Sequence, residues 1–174
     1  NHMKAGQNLV NRRYGNSDCA VYSDFRELVA RKDLDIVQVT TPDHWHALAA
    51  VAALNAGKDV YCEKPLSNSV AEGRAIVDAV KRNNRILQTG TQERSGDLAR
   101  YGCELVRNGR IGKLHTLSVN LPCDDGHHIQ VRDRKQPLEA KPVPPELDFD
   151  MWLGHTPVRP YNPDRVHFFW RFIL

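Results

Sequence analysis

The sequence predicts an α/β fold: a parallel sheet whose strands alternate with helices, followed by a less regular region. Three observations predict it. Short apolar stretches rich in β-branched residues recur at residues 36–40, 60–62 and 86–89. Helical patterns with recognisable starts and stops run between them, so the connections are short and the strands parallel with right-handed crossovers. Two of the strands run into polar residues and a proline, at Thr40-Thr41-Pro42 and at Glu63-Lys64-Pro65. Proline fixes φ and removes a backbone donor, so each strand stops there. These stops mark one edge of the sheet as the working edge, where ligands of such sheets bind.

In chain order, residues 4–13 read as the end of a helix closed by Gly15. Residues 19–22 are a short apolar strand candidate. Ser23-Asp24 starts a helix with Phe25, Leu28 and Val29 as its buried stripe, and Arg31-Lys32 complement its C-terminus. After the strand at 36–40, Thr41-Pro42-Asp43 opens a helix with proline in its favoured first turn. That helix is apolar on nearly every side from 47 to 54, which predicts burial, and Asn55-Ala56-Gly57 stops it. The strand at Val60-Tyr61-Cys62 reads as buried. Ser69-Val70-Ala71-Glu72 is a capping box that starts a helix with Ile76, Val77 and Val80 inward. It ends at Asn83-Asn84. Residues 97–107 form a helix with Leu98, Tyr101 and Leu105 on one face, closed by Asn108-Gly109.

The character changes after Gly109-Arg110-Ile111-Gly112. Residues 114–121 alternate and predict a strand with one wet face. Residues 122–150 are proline-rich and charged and read as an irregular surface excursion. Residues 148–153 fit a short helix, and residues 155–173 are aromatic, prolyl and basic without regular structure.

The totals exclude several function classes. The chain has 174 residues, of which 41% are hydrophobic and 26% charged. That suits one domain, or one domain and part of another. No apolar run approaches the ~20 residues needed to span a bilayer, so no membrane partner is expected. The net charge is +3, but basic and acidic residues are mixed along most of the chain, so it is a weak argument for nucleic acid and no nucleic-acid partner is expected. The four cysteines, Cys19, Cys62, Cys103 and Cys123, form no C-x-x-C pair and read as free thiols of a reducing, cytoplasmic compartment. The opening Asn1-His2-Met3 looks like a cloning scar, so an exported form stays open.

Two histidine-containing stretches invite a metal reading. His44 and His46 diverge by about 200° on a helix and cannot easily share an ion. Cys123-Asp124-Asp125-Gly126-His127-His128 has ligand chemistry but no second cluster at a convincing spacing, so a solvated loop is the better reading. No metal is expected.

The motifs T-P-D-H-W-H (41–46), G-K-D-V-Y-C-E-K-P (57–65) and R-N-G-R-I-G-K (107–113) resemble, in order and spacing, the Gfo/Idh/MocA oxidoreductases. P-V-P-P-E-L-D-F-D-M-W-L-G (142–154) and R-P-Y-N-P (159–163) look like a sugar-directed branch of that family. The resemblance implies a Rossmann domain that binds NAD or NADP and a second α/β domain that closes the substrate site and carries an oligomer contact. It implies hydride transfer between the nicotinamide and a sugar or polyol carbon, by a homo-oligomer. Lys64 matches the family's lysine at the hydride-transfer site. Glu63 would contact the nicotinamide side, Pro65 would fix the turn, and Thr41, Pro42 and His46 would lie by the cofactor. Gln92 and Arg94 stand where the family places substrate-facing residues. Trp152, Arg159, Tyr161, Trp170 and Arg171, with His167, suit sugar recognition, since rings stack on sugar faces and guanidinium groups donate to hydroxyls. Their alternative is packing of a loop on the second domain.

Against that pattern, the 174 residues hold no G-x-G-x-x-G loop with its acidic residue ~20 positions on. The family's aspartate–histidine pair is also expected beyond Leu174. The expectation is therefore an incomplete Rossmann-type sheet over 1–112, lacking its first strand–helix–strand, and the start of a substrate domain over 113–174. Such a sheet exposes an edge at residues 36–40 and predicts self-association. A glycosidase using bound NAD, on the same fold, and a non-catalytic assembly fragment are the competing readings.

Overall fold

Hydrogen bonding between extended segments follows the expected parallel order. The computed structural model describes residues 2–120, 139–166 and 170. The chain divides into two units, Asn1–Gln92 and Glu93–Leu174.

In the first unit, strands β1 (Ile36–Val39), β2 (Asp59–Glu63) and β3 (Leu87–Gly90) form a parallel sheet in the order β1-β2-β3. Val37 pairs with Val60 and Val39 with Cys62, while Cys62 pairs with Thr89 and Glu63 with Gly90. Alternation along the strands sets the core. Val37, Val39, Val60 and Cys62 are buried in one cluster with Ala47, Ala49, Ala50, Ala53 and Leu54 of one helix and Ile76 and Ala79 of another. The alternate residues differ: Ile36 is 66% exposed, Gln38 is exposed and Tyr61 is half-buried. The sequence reading of β2 as wholly buried is corrected here. Among the described residues, only one face of the sheet is fully covered.

Among the described residues, six helices and short turns make up the rest of the two units. Helix α1 (His2–Tyr14) ends at Gly15, whose φ of +65° is left-handed and suits a residue without Cβ. Residues 19–22 do not form the expected strand. The Cys19 N–H donates to Asn11 Oδ1 at 3.0 Å, and its carbonyl accepts from Gln7 Nε2 at 2.7 Å. An apolar segment becomes a strand only beside another strand, and here the partners are side chains of α1. Helix α2 (Phe25–Val29) is capped by Asp24, which accepts from the Arg26 N–H at 2.8 Å. Phe25 sets its ring edge against Trp45 at 5.5 Å.

A 3-10 turn, Asp43–Trp45, precedes helix α3 (His46–Asn55). Pro42 therefore stands before the 3-10 turn, and the α-helix itself starts later than expected. Helix α4 (Val70–Asn83) has its full capping box: the Glu72 N–H donates to Ser69 Oγ and the Ser69 N–H to Glu72 Oε2, each at 3.2 Å. Asn84 closes it at φ +48°.

In the second unit, helix α5 (Asp97–Arg107) has the predicted bounds. Its apolar face is not buried: Leu98 is 87% and Tyr101 60% exposed, and Leu105 is half-buried. Residues 114–120 carry no strand pairing, contrary to the alternation of the sequence, and all are exposed. Alternation names the face a strand would bury, but no neighbouring strand is present among the described residues. Helix α6 (Phe149–Leu153) is the expected short helix, capped by Asp148, which accepts from the Met151 N–H at 2.9 Å. Beyond it the chain forms a 3-10 turn, Pro163–Arg165. Among the described residues, no helix is long and apolar enough to cross a membrane.

Candidate functional site

Because the three strands are parallel, their carboxyl ends share one edge. Thr40-Thr41-Pro42 follows β1, Glu63 ends β2 and leads into Lys64-Pro65, and Gly90 ends β3 just before Thr91-Gln92. Most of the sequence-predicted cofactor side therefore converges here.

Glu63 is half-buried, and its carboxylate lies over Gly90. A Cβ built on Gly90 would stand 2.9 Å from the carboxylate, so a glycine there leaves the space that the side chain uses. Glu63 Oε2 also accepts from the Lys64 N–H at 3.3 Å. The Lys64 side chain is exposed and forms no ion pair among the described residues. An ammonium group is thus held at the strand end with its donors available. The Lys64–Pro65 peptide bond is cis.

Thr41 is exposed and Pro42 half-buried. His46 is 1% exposed, at the first position of α3. Its Nδ1 lies 2.6 Å from the Pro65 carbonyl oxygen and its Nε2 2.8 Å from the Thr41 carbonyl oxygen. The imidazole therefore bridges the chain after β1 and the chain after β2. Neighbouring His44 is buried, and its ring lies 6.5 Å from that of Trp45. Cys62, fully buried at the end of β2, has its thiol pushed up to about 11, first by burial and then by the charge of Glu63. It is a free, protonated thiol.

The predicted substrate residues divide. Gln92 is exposed in a 3-10 turn, Gln92–Ser95, that also holds the exposed Arg94. Trp152, Tyr161 and Trp170 come together with Phe149. Phe149 stacks on Trp152 at 6.0 Å and meets Tyr161 edge-on at 5.2 Å, and Trp152 meets Trp170 edge-on at 6.1 Å. Tyr161 is buried, the two tryptophans are half-buried, and Arg159 is exposed. Hydrogen bonds to backbone carbonyls brace this group: the Lys141 N–H donates to the Tyr161 carbonyl at 2.9 Å and the Asn162 side-chain Nδ2 to the Glu139 carbonyl at 2.8 Å. Arg171 and His167, and the stretch from Cys123 to His128, lie outside the described residues. Among the described residues, no group of three His, Cys, Asp or Glu side chains is placed to hold a metal ion.

Two features were missed from sequence. Gly90, just past the strand stretch at 86–89, was given no role, although a glycine in a strand pattern signals close approach. The two carbonyl partners of His46 come from distant turns and leave no local signal.

Comparison with known proteins bears on this arrangement. A family model described as the oxidoreductase family with an NAD-binding Rossmann fold matches residues 2–91. The model for the C-terminal α/β domain of the same oxidoreductase family matches residues 103–173. The chain is 34% identical over 103 residues to levoglucosan dehydrogenase of Pseudarthrobacter phenanthrenivorans, covering 59% of this chain and 26% of that protein. It is 31% identical over 134 residues to D-xylose 1-dehydrogenase (NADP(+)) of Hypocrea jecorina, covering 75% of this chain and 34% of the relative. The crystal structure of myo-inositol 2-dehydrogenase from Lactobacillus plantarum superposes with a TM-score of 0.55 at 29% identity, over 62% of this chain and 31% of that one. The chain thus spans only 26% and 34% of the two curated relatives just described. Its parallel sheet, its Glu63-Lys64-Pro65 edge and the two matched domains together place the chain in the Gfo/Idh/MocA oxidoreductase family.

Proposed function

We propose that this chain carries part of the hydride-transfer site of an NAD(P)-dependent oxidoreductase acting on a sugar, a polyol or a derivative of one. The observation that carries the reading is the placement of Glu63 and Lys64 at the carboxyl edge of a parallel sheet, where ligands of α/β sheets bind. Oxidation of a secondary alcohol removes a hydride from carbon and a proton from oxygen. The Lys64 ammonium is exposed and free of ion pairs among the described residues, so it can donate to the reacting oxygen and stabilise its developing negative charge.

The residues at this edge fit the nicotinamide end of the cofactor. The Glu63 carboxylate accepts hydrogen bonds, the Lys64 ammonium donates them, and Gly90 leaves the room in which the Glu63 carboxylate lies. Bound there, NAD or NADP supplies the hydride acceptor. Thr41, Pro42 and Pro65 shape the wall, and His46 stands behind it. The family description names NAD, while the xylose relative is named for NADP(+), so both cofactors belong in the test. For the substrate, the half-buried Trp152 and Trp170 are the aromatic candidates suited to a sugar ring, with the buried Tyr161 packed in the same group; Gln92, Arg94, Arg159 and Arg171 are separate hydroxyl-donor candidates from the sequence.

The same reading extends to a homo-oligomer in the cytoplasm, with no nucleic-acid or membrane partner. Support comes from the exposed apolar residues of α5 and from the free thiols Cys19, Cys62 and Cys103.

Turnover of the complete enzyme with NAD and NADP against a panel of sugars and polyols tests the proposal. Sustained formation of reduced nicotinamide is expected, with a loss of roughly 10²–10⁴-fold in Lys64→Met at little change in cofactor affinity. Near-normal turnover in that variant removes Lys64 from the mechanism. Net glycoside cleavage without accumulation of reduced cofactor replaces the dehydrogenase reading by a glycosidase.

A further inference from the structure

The ring of His46 faces two carbonyl oxygens, that of Pro65 at 2.6 Å from Nδ1 and that of Thr41 at 2.8 Å from Nε2. Carbonyl oxygens only accept hydrogen bonds. A neutral imidazole has one N–H and one bare nitrogen, so it can satisfy one of them. Its bare nitrogen would then point a lone pair at a carbonyl lone pair within hydrogen-bond distance. A ring that makes both bonds carries hydrogen on both nitrogens. Both separations are short for a nitrogen donor, as charge-assisted bonds are. At 1% exposure the ring is shut off from bulk solvent.

The two carbonyls belong to different segments. Thr41 follows β1, and Pro65 is the residue after Lys64. We infer that His46 is a positioning residue, a two-sided donor that ties the chain after β1 to the Lys64-Pro65 turn and so holds the base of the Lys64 side chain at the sheet edge. The tie is complete only in the doubly protonated ring; the neutral ring holds one segment and releases the other. The placement of Lys64 is therefore coupled to a residue whose contacts are to the backbone on either side of the edge. The role differs from a direct cofactor contact, since both ring nitrogens are already committed to backbone. The importance of the tie to catalysis rests on the proposed hydride-transfer role of Lys64, but the tie itself does not.

Other titratable groups on the surrounding elements do not supply this link. Asp43 and His44 lie in the turn just before the ring, and Glu63 is turned to Gly90. The Cys62 thiol is protonated over the ordinary range. Arg26 and Glu27 of α2, and Arg74, Asp78, Lys81 and Arg82 of α4, are exposed, while Glu72 is engaged in its capping box. Among the described residues, the hydrogen-bond partners of the ring are the two carbonyls.

Nitrogen-resolved NMR of the 174-residue protein, without cofactor or substrate, tests the inference. The His46 ring is expected to show two N–H signals, both protected from exchange. In His46→Phe, which keeps a ring and has no donor, the backbone amide signals of Lys64 and Leu66 should shift while the strand amides of β2 keep their positions. A wild-type ring with one bare nitrogen overturns the inference, as do Lys64 and Leu66 amide signals that stay unchanged in His46→Phe. If that variant does not fold, the wild-type ring spectrum decides alone. Because no cofactor is present, a failure here is distinct from a failure of the dehydrogenase assay.

Discussion

Up to Gln92, the buried side chains form one cluster on one face of a sheet; beyond it, the described apolar residues meet in a small group of rings, and α5 leaves its apolar stripe exposed. Composition does not explain the difference, since both stretches contain helices with clear apolar faces. The first stretch has three mutually bonded strands, and their parallel register gives helices a flat surface to cover. The second has no strand among its described residues, and a helix of three turns gains little by itself in water. Amphipathic pattern thus records what a segment is suited to cover, and burial follows only when the complementary surface is present.

Substitutions can break or sharpen this contrast. The largest effect belongs to the sheet side. Ile76 is 1% exposed in the main cluster, and Ile76→Ala is expected to cost about 2–5 kcal/mol in urea unfolding. A cost below about 1 kcal/mol would show that this cluster is not what stabilises the fold. Next comes the buried thiol. Burial raises Cys62 from 9.0 to about 11, so its contribution is full below about pH 9 and is lost as pH rises to about 11. Stability should fall by on the order of 2 kcal/mol across that window. Unfolding curves of Cys62→Ala should lack this part of the slope; the same fall in the variant would assign it to another group.

Smaller effects probe the local devices. Ser69→Ala removes the acceptor at the start of α4 and should cost about 1 kcal/mol. An unchanged midpoint would mean that solvent replaces the cap without loss. At the exposed side of the contrast, Leu98→Ser should stay within about 0.5 kcal/mol, because Leu98 is 87% exposed. A much larger loss at high protein concentration, absent on dilution, would show that the α5 face is covered by another copy in solution.

Much of the first stretch was legible from residues. The strand cores at 36–40, 60–62 and 86–89 overlap β1, β2 and β3, because β-branched runs between helix stops have few other solutions. Ser69 and Glu72 announced their helix, since a capping box is read within four residues. Residues 19–22 and 114–120 were overread for one reason: strand formation is a property of pairs, and a single segment carries half the information. At the site, the position of Glu63 and Lys64 at the sheet edge was visible because a strand ends there beside proline. The tie made by His46 was not, because its acceptors are backbone oxygens five and nineteen positions away. Backbone acceptors are identical at every residue, so no side-chain pattern reports which of them a histidine will meet.

The alanines of α3 set a clearance. Ala50 and Ala53 are fully buried among the valines of the sheet and the residues of α4, so a single methyl group separates this helix from its neighbours. Close-packed interiors have no slack at that scale. Enlarging either residue to valine would lift the helix by a fraction of a side-chain width, and overpacking of this kind typically costs about 1–3 kcal/mol. His46 starts the same helix, so the lift would reach the Thr41 and Pro65 carbonyls as a change in distance. The smallest side chains in the core thus act as the shims on which the alignment of the working edge depends.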